Sequence, residues 1–237
     1  MRIGRMSLLQ RKPRPLTRDT DSLRNDRLFI IACDDTYAPK QYFDFFRIPR
    51  VKIHVVPTPD GTSAAQHVLG RILQFDHEPG DELWMVLNTD HCTAGTHLTS
   101  FLQAVNEARR QGVNVALSKP CFELWLLLHH LDAAAVTGLA DAHAVIQALR
   151  TTLGQYNKTQ LRKSDYPLTF VIEACQRAKR LDSVVGGGEL PAGNTSRIYL
   201  LWKAIVAKAL PTQLPAELRV LLPVGAAAGN ESRTLSS

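Results

Sequence analysis

Four short apolar runs alternate with amphipathic segments in the first half of the chain, and this alternation predicts an α/β fold. The run "RLFIIAC" (27–33) is almost entirely apolar, as is typical of a strand buried on both faces of a parallel sheet. The other predicted strands are 51–57, 82–88 and 113–117. The predicted helices are 39–46, a segment within 61–76, and 96–111, and the second of them has Thr62 or Ser63 as its N-cap. Strands that alternate with helices predict a parallel sheet with helices on both faces.

The pattern changes after Pro120, where strand signals nearly disappear. Helices are predicted at 121–131, 139–153, 165–181 and 194–209. We therefore expect an α/β protein in which a parallel sheet flanked by helices is followed by a C-terminal helical subdomain. The predicted organisation is a basic, flexible arm (1–26), an α/β core (27–120), a helical portion packed on the core (121–222) and a flexible tail (223–237).

Charge is concentrated in the basic arm. Residues 1–27 carry a net charge of +5, whereas the whole chain of 237 residues carries +6. Such arms often bind phosphate backbones or an acidic partner, and they also serve as solubilising leaders. The charge distribution leaves both interpretations open.

Composition excludes some classes of protein. The four cysteines are widely scattered and form no CxxC pair, which argues against a structural zinc site and fits reduced, buried thiols. No apolar run reaches the length of a membrane-spanning helix, and the basic N-terminus lacks the apolar region of a signal peptide. We therefore expect a cytoplasmic protein with no membrane association.

Acidic and amide side chains follow two of the predicted strands. Asp34 and Asp35 come after the first strand, whereas Asn88 and Asp90 end the third. Ligands bind beyond the carboxyl ends of parallel strands, so these side chains could converge on one edge and hold Mg²⁺ or Mn²⁺. Residues of these types also cap helices and form Asx turns, which is the simpler explanation of their positions.

The stretch "ALSKPCFELWLLLHH" (116–130) places Glu123 in a strongly apolar region. A carboxylate in the first turn of a helix is favoured by the helix dipole, and this helix would follow the fourth strand. Glu123 could therefore be a third metal-binding carboxylate, or it could pair with a buried Arg or cap backbone N–H groups. His129 or His130 could orient a phosphate or a water, although a core histidine bonded to the backbone accounts for either one.

Five stretches resemble the RloB-like family, which includes the AbiLii-type abortive-infection proteins. They are "IIACDD…QYF", "LNTDH", "ALSKPCFELWLLLHH", "YNKT" and "NTSRIYLL", in the family's order over roughly residues 27–205. The third is similar to the family signature "SNPCFELWLLLH"; Ser118, Pro120, Cys121, Phe122, Glu123, Trp125 and His129 match it, and Lys119 replaces Asn. The resemblance implies a Toprim-like fold whose acidic residues hold a divalent metal for phosphodiester chemistry. It also implies a role in phage defence, often beside an ATPase partner.

The chain departs from the family at the acidic positions. Asp34 stands where the family has Glu, Asp35 stands where it has Gly, and a Thr-Glu pair is replaced by Ala38–Pro39. The usual Asp-x-Asp is Asn88-Thr89-Asp90. Each loss of a carboxylate weakens affinity for hard cations, and Asp35 and His91 are the residues that could compensate in part.

Basic residues with an interleaved aromatic suggest a nucleic-acid surface. The stretch "QYNKTQLRK" contains Tyr156, Lys158, Arg162 and Lys163, a composition suited to phosphate and base contacts. Arg197, with Asn194 and Ser196, is expected at the start of the last helix, where anions bind. Charged helix faces are often simply solvated, which is the alternative for both.

Two main functions follow as hypotheses. The first is a metal-dependent nuclease of an antiphage system that acts on RNA, with tRNA as one candidate, or on DNA. In this hypothesis the catalytic residues are Asp34, Asp35, Asp90 and Glu123, and the metal ligands are Asp34, Asn88, Asp90 and Glu123. The second is a catalytically degenerate module that binds nucleic acid or an ATPase partner as a sensor or regulator. A small-molecule enzyme is a third hypothesis, but the chain lacks a Gly-rich cofactor loop. The sequence leaves a homo-oligomer open.

Overall fold

A computed structural model describes residues 27–35, 37–58, 62–90, 92, 95–185 and 188–223. These residues form one five-stranded sheet, whose strands are β1 (Arg27–Cys33), β2 (Val51–Val55), β3 (Glu82–Asn88), β4 (Asn114–Lys119) and β5 (Thr195–Ser196). The order of the strands in the sheet is β2-β1-β3-β4-β5. The first four strands are parallel and β5 is antiparallel to β4.

Helices cover both faces of the sheet, because each strand presents apolar side chains alternately to either side. Within the described residues the α-helices are α1 (Ala38–Asp44), α2 (Ala65–Gln74), α3 (Gly95–Arg110), α4 (Phe122–Leu127), α5 (Ala133–Val136), α6 (Ala142–Leu153), α7 (Leu168–Val185) and α8 (Ile198–Lys208). Helices α2 and α3 pack on one face with Ile30, Met85 and Leu117, and the remaining α-helices share a larger core on the other face with Phe29 and Val86. The predicted α/β class, with a mostly parallel sheet flanked by helices, is confirmed.

Element boundaries differ from the predictions in two informative places. The N-cap of α2 is Ala64, and the hydroxyl of Thr62 instead accepts a hydrogen bond of 3.0 Å from Arg71. The last helix begins at Ile198 rather than 194, because Thr195 and Ser196 pair with β4 as β5. A strand of two residues is too short to show the alternation typical of β-strands, so the sequence pattern does not separate it from the predicted helix 194–209.

The predicted arm (1–26) and the predicted tail (223–237), apart from Pro223, lie outside the described residues. The helical portion packs against the sheet, where the helices after β4 share one apolar core with β1, β3 and α1. Within the part of the chain that the structure describes, no helix is both long enough and apolar enough to cross a membrane.

Candidate functional site

One cavity of about 460 Å³ lies at the carboxyl ends of β1, β3 and β4. Its lining includes Asp34, Asp90 and Glu123, which come from three separate segments of the chain. Asp35, Asn88 and Lys158 line it as well. The expected gathering of acidic side chains at one edge of the sheet is therefore confirmed, whereas their assignment as metal ligands stays a prediction.

Asp34 ties the end of β1 to the end of β3. Its Oδ2 accepts a hydrogen bond of 2.6 Å from the backbone N–H of Asn88. The pKa of Asp34 is raised from 3.8 to about 7, chiefly because the carboxylate is removed from water; the Asn88 N–H opposes this rise, and nearby Asp35 and Asp90 add to it. Near neutral pH this carboxyl is therefore divided between its two protonation states, and a bound cation would favour the ionised one.

Asp35 has both a structural contact and an electrostatic one. Its Oδ1 accepts hydrogen bonds from the N–H groups of Tyr37 (2.7 Å) and Ala38 (3.3 Å), which forms an Asx turn just before α1. Its Oδ2 lies 3.9 Å from Nζ of Lys158. The Asx-turn explanation therefore holds for one oxygen of Asp35, and the other lies near the ammonium group of Lys158 at the cavity.

The end of β3 is held by the segment that follows β4. The carbonyl oxygen of Pro120 accepts hydrogen bonds from the N–H groups of Thr89 (3.0 Å) and Asp90 (3.1 Å). Asn88 lines the cavity, and its Oδ1 is buried and has no hydrogen-bond partner among the described residues. A buried acceptor left unpaired costs about 1–3 kcal/mol, so a cation or a water at this point would be stabilising.

Glu123 lies in the first turn of α4 with 4% of its surface exposed. Its Oε1 accepts a hydrogen bond of 2.9 Å from the hydroxyl of Tyr156. Burial and the adjacent Glu123 raise the pKa of Tyr156 and of the Cys121 thiol well above their usual values, which keeps both groups protonated. The carboxylate of Glu123 is thus bonded to a tyrosine hydroxyl, a partner other than the buried arginine and the backbone N–H groups considered from the sequence.

The donor set fits a partly solvated metal better than a closed site. Among the described residues no group of three or more His, Cys, Asp and Glu side chains is arranged to hold an ion. Asp34, Asp90 and Asn88 supply oxygen atoms at the cavity, and Mg²⁺ is often bound by one or two carboxylates while water and substrate phosphate complete its shell. His91, the other residue expected to compensate, lies outside the described residues.

Arg197 is not brought to this cavity. Its guanidinium donates to Oδ1 of Asp182 (3.0 Å) and to the carbonyl of Gly188 (2.9 Å) and is largely buried. Ser196 bonds to the hydroxyl of Ser118, and Asn194 donates to two backbone carbonyls. These three residues hold β5 and its neighbours together, so their contacts are structural, and the assignment of Arg197 to nucleic-acid binding stays a prediction.

His129 is a core residue. Its Nδ1 lies 2.9 Å from the carbonyl oxygen of Trp125, its Nε2 lies 3.0 Å from the hydroxyl of Tyr42, and burial lowers its pKa to about 3. His130 packs on the rings of Tyr166 and Phe170, and burial lowers its pKa too. For His129 the interpretation as a core histidine bonded to the backbone is confirmed.

Nothing in the sequence indicated that Gln41 contacts the loop after α6. From α1 its side-chain amide donates to the carbonyl of Lys158 (2.7 Å) and accepts from the N–H of Leu161 (2.9 Å). It thereby holds the loop that carries Tyr156 and Lys158 against the α/β core. No local signal marks such a contact, because its partners are 117 and 120 positions away.

The sequence model of a protein family, described as "RloB-like protein", matches residues 29–205 of the chain. The chain therefore belongs to the RloB-like family. No curated protein and no solved structure matches it.

Proposed function

We propose that this RloB-like protein is a divalent-metal-dependent nuclease that cleaves phosphodiester bonds of RNA or DNA as an effector of antiphage defence. The observation that supports this most is that Asp34, Asp90 and Glu123 line one cavity at the carboxyl edge of the sheet. A basic side chain, Lys158, lies at the same cavity, 3.9 Å from Asp35. Carboxylates for a cation beside a lysine for phosphate are the components that phosphodiester hydrolysis requires.

Each side chain has a proposed task. Asp34, Asn88 and Asp90 would hold Mg²⁺ or Mn²⁺, which when bound polarises a phosphoryl oxygen and lowers the pKa of a water. Lys158 would bind a phosphate of the backbone. Glu123, fixed by Tyr156, would accept a proton within the cavity.

A degenerate binding module is the second candidate. It is favoured by the absence, among the described residues, of a group of three His, Cys, Asp or Glu side chains able to hold an ion. Asn88 brings no charge to the site. Such a module would bind nucleic acid or an ATPase partner without cleaving.

Cleavage and metal binding together separate the two candidates. Purified protein is incubated with labelled single-stranded RNA, tRNA and DNA in Mg²⁺, Mn²⁺ or EDTA, and Mn²⁺ binding is titrated calorimetrically. If the protein is a nuclease, it cleaves at least one substrate in the presence of metal, and Asp90→Asn abolishes this cleavage. The control Asp76→Asn, at an exposed position on the loop after α2, leaves cleavage unchanged. No cleavage and no metal binding, with nucleic-acid binding retained, would establish the binding module instead.

A further inference from the structure

A second cavity, of about 290 Å³, is lined by residues of the loop that carries Tyr156. Its lining is connected to that of the first cavity, because the hydroxyl of Tyr156 donates a hydrogen bond to Glu123, which lines the first. A strand whose phosphate reaches the first cavity would therefore bring a neighbouring nucleotide to the second.

The lining of the second cavity combines an aromatic ring with amides. Tyr156 supplies a partly exposed ring, Gln155 and Gln160 supply exposed amides, and Arg162 supplies a cation whose Nε lies 2.9 Å from Asp165. Aromatic faces stack on bases, and amide groups donate to and accept from base edges. This chemistry is that of a site for an uncharged, planar group with a polar edge.

Tyr166 gives a second, independent indication. It is 1% exposed, and its hydroxyl has no hydrogen-bond partner among the described residues. Its ring is stacked on Phe45, with centroids 6.3 Å apart, so its position is fixed. A buried hydroxyl without a partner in a cavity wall is a group that a ligand could satisfy.

The cavity is large enough for a single base. Its volume lies near the lower end of the range of about 300–1,000 Å³ typical of small-molecule sites. The loop that forms its wall is held by Gln41, which accepts from the N–H of Leu161, and by Asn157, which accepts from the hydroxyl of Thr159. A wall fixed before binding reduces the entropic cost of holding a ligand.

We propose that the second cavity binds one unpaired nucleobase of a single-stranded nucleic acid. The protein would thereby act on looped or unpaired nucleotides and would place the base beside the bond that it cleaves. The proposal rests on the proposed function for the nature of the ligand, but it requires base binding rather than cleavage.

The test uses binding without metal, so that it does not depend on nuclease activity. The ligands are RNA and DNA oligonucleotides of about eight nucleotides, a typical length for single-strand sites, and each lacks the base at one position. Their affinities for the protein are measured by fluorescence anisotropy in EDTA. We expect loss of the base at one position to weaken binding about 5- to 100-fold, and at other positions much less. The double substitution Gln155→Leu with Gln160→Leu should remove this contrast, and Gln176→Leu, at an exposed position on α7, should keep it.

Three results would overturn the base site: affinities that do not depend on which base is missing, a positional contrast that survives in the double variant, or absence of oligonucleotide binding. Position-dependent binding without cleavage under any metal would leave the base site standing and remove the nuclease. A contrast seen only with RNA or only with DNA would identify the substrate class.

Discussion

The hydroxyl of Tyr156 donates a hydrogen bond of 2.9 Å to Oε1 of Glu123, joining residues 33 positions apart. Glu123 was expected to bind metal and Tyr156 to bind nucleic acid, and their direct contact makes the two proposed sites continuous. A buried carboxylate is stable only when hydrogen bonds or counter-charges replace its hydration. The tyrosine hydroxyl supplies such a bond and fixes the carboxylate at the cavity.

Tyr156→Phe should destabilise the protein, because it leaves a buried carboxylate oxygen without its donor. Loss of a hydrogen bond to a buried charged group costs about 1–3 kcal/mol, measurable as the free energy of unfolding in urea. Tyr37→Phe, at a half-exposed tyrosine, is the control and should change stability by less than about 0.5 kcal/mol. In a double-mutant cycle with Glu123→Gln the two changes should be non-additive; additive effects would show that the bond contributes little.

Asp34→Asn should stabilise the protein above neutral pH. The pKa of Asp34 is about 7 in the folded protein against a usual 3.8, so between these values the folded state binds more protons than the unfolded state. Stability from this group is therefore lost as the pH rises from about 4 to about 7. The variant keeps an oxygen that can accept from the Asn88 N–H and carries no charge to bury, so we expect a gain of about 2 kcal/mol at about pH 8.

Urea unfolding of both proteins at about pH 5 and pH 8 checks this expectation. The advantage of Asp34→Asn should shrink at the lower pH, where the native carboxyl is already protonated. An advantage that is equal at both pH values would mean that the pKa of Asp34 is not raised in the folded protein. Asp76→Asn, at an exposed position, controls for the general effect of removing one negative charge.

Local patterns predicted the fold better than they predicted the site. Strands β1 and β3 were bounded correctly because buried parallel strands are long apolar runs that end where polar residues begin. That Asp34, Asp90 and Glu123 line one cavity followed from the rule that parallel strands end at one edge of the sheet. The contact of Gln41 with the loop and the pairing of Arg197 with Asp182 were not predictable. Those contacts depend on how separate helices pack, and neither spacing nor composition encodes that packing.

Gln41→Leu should loosen the loop that carries Tyr156 and Lys158. The substitution removes both hydrogen bonds from the Gln41 amide to this loop, and the leucine can neither donate nor accept. Hydrogen exchange should become faster in the peptide that contains Leu161, by about thirty-fold, since two lost bonds of about 1 kcal/mol each weaken the loop by about 2 kcal/mol. Gln74→Leu, at an exposed position on α2, is the matched control, and equal exchange in both variants would mean that Gln41 does not hold the loop.

Affinity for a divalent cation should rise with pH through neutrality. Because Asp34 has a pKa of about 7, it is mostly protonated at about pH 6 and mostly ionised at about pH 8, and a cation binds the ionised form. We expect the association constant for Mn²⁺ to increase about ten-fold across this interval, with close to one proton released on binding at the lower pH. Titration calorimetry in buffers of different ionisation enthalpy measures both quantities.

Asp34→Asn should bind Mn²⁺ more weakly and with little dependence on pH, because the titrating ligand has been removed. Asp90→Asn should also weaken binding but keep the pH dependence, since Asp34 still titrates, with a midpoint below 7 once one neighbouring negative charge is gone. Equal affinity of the native protein at both pH values, without proton release, would exclude Asp34 as a ligand. The cation would then have to be held by other oxygens of the cavity.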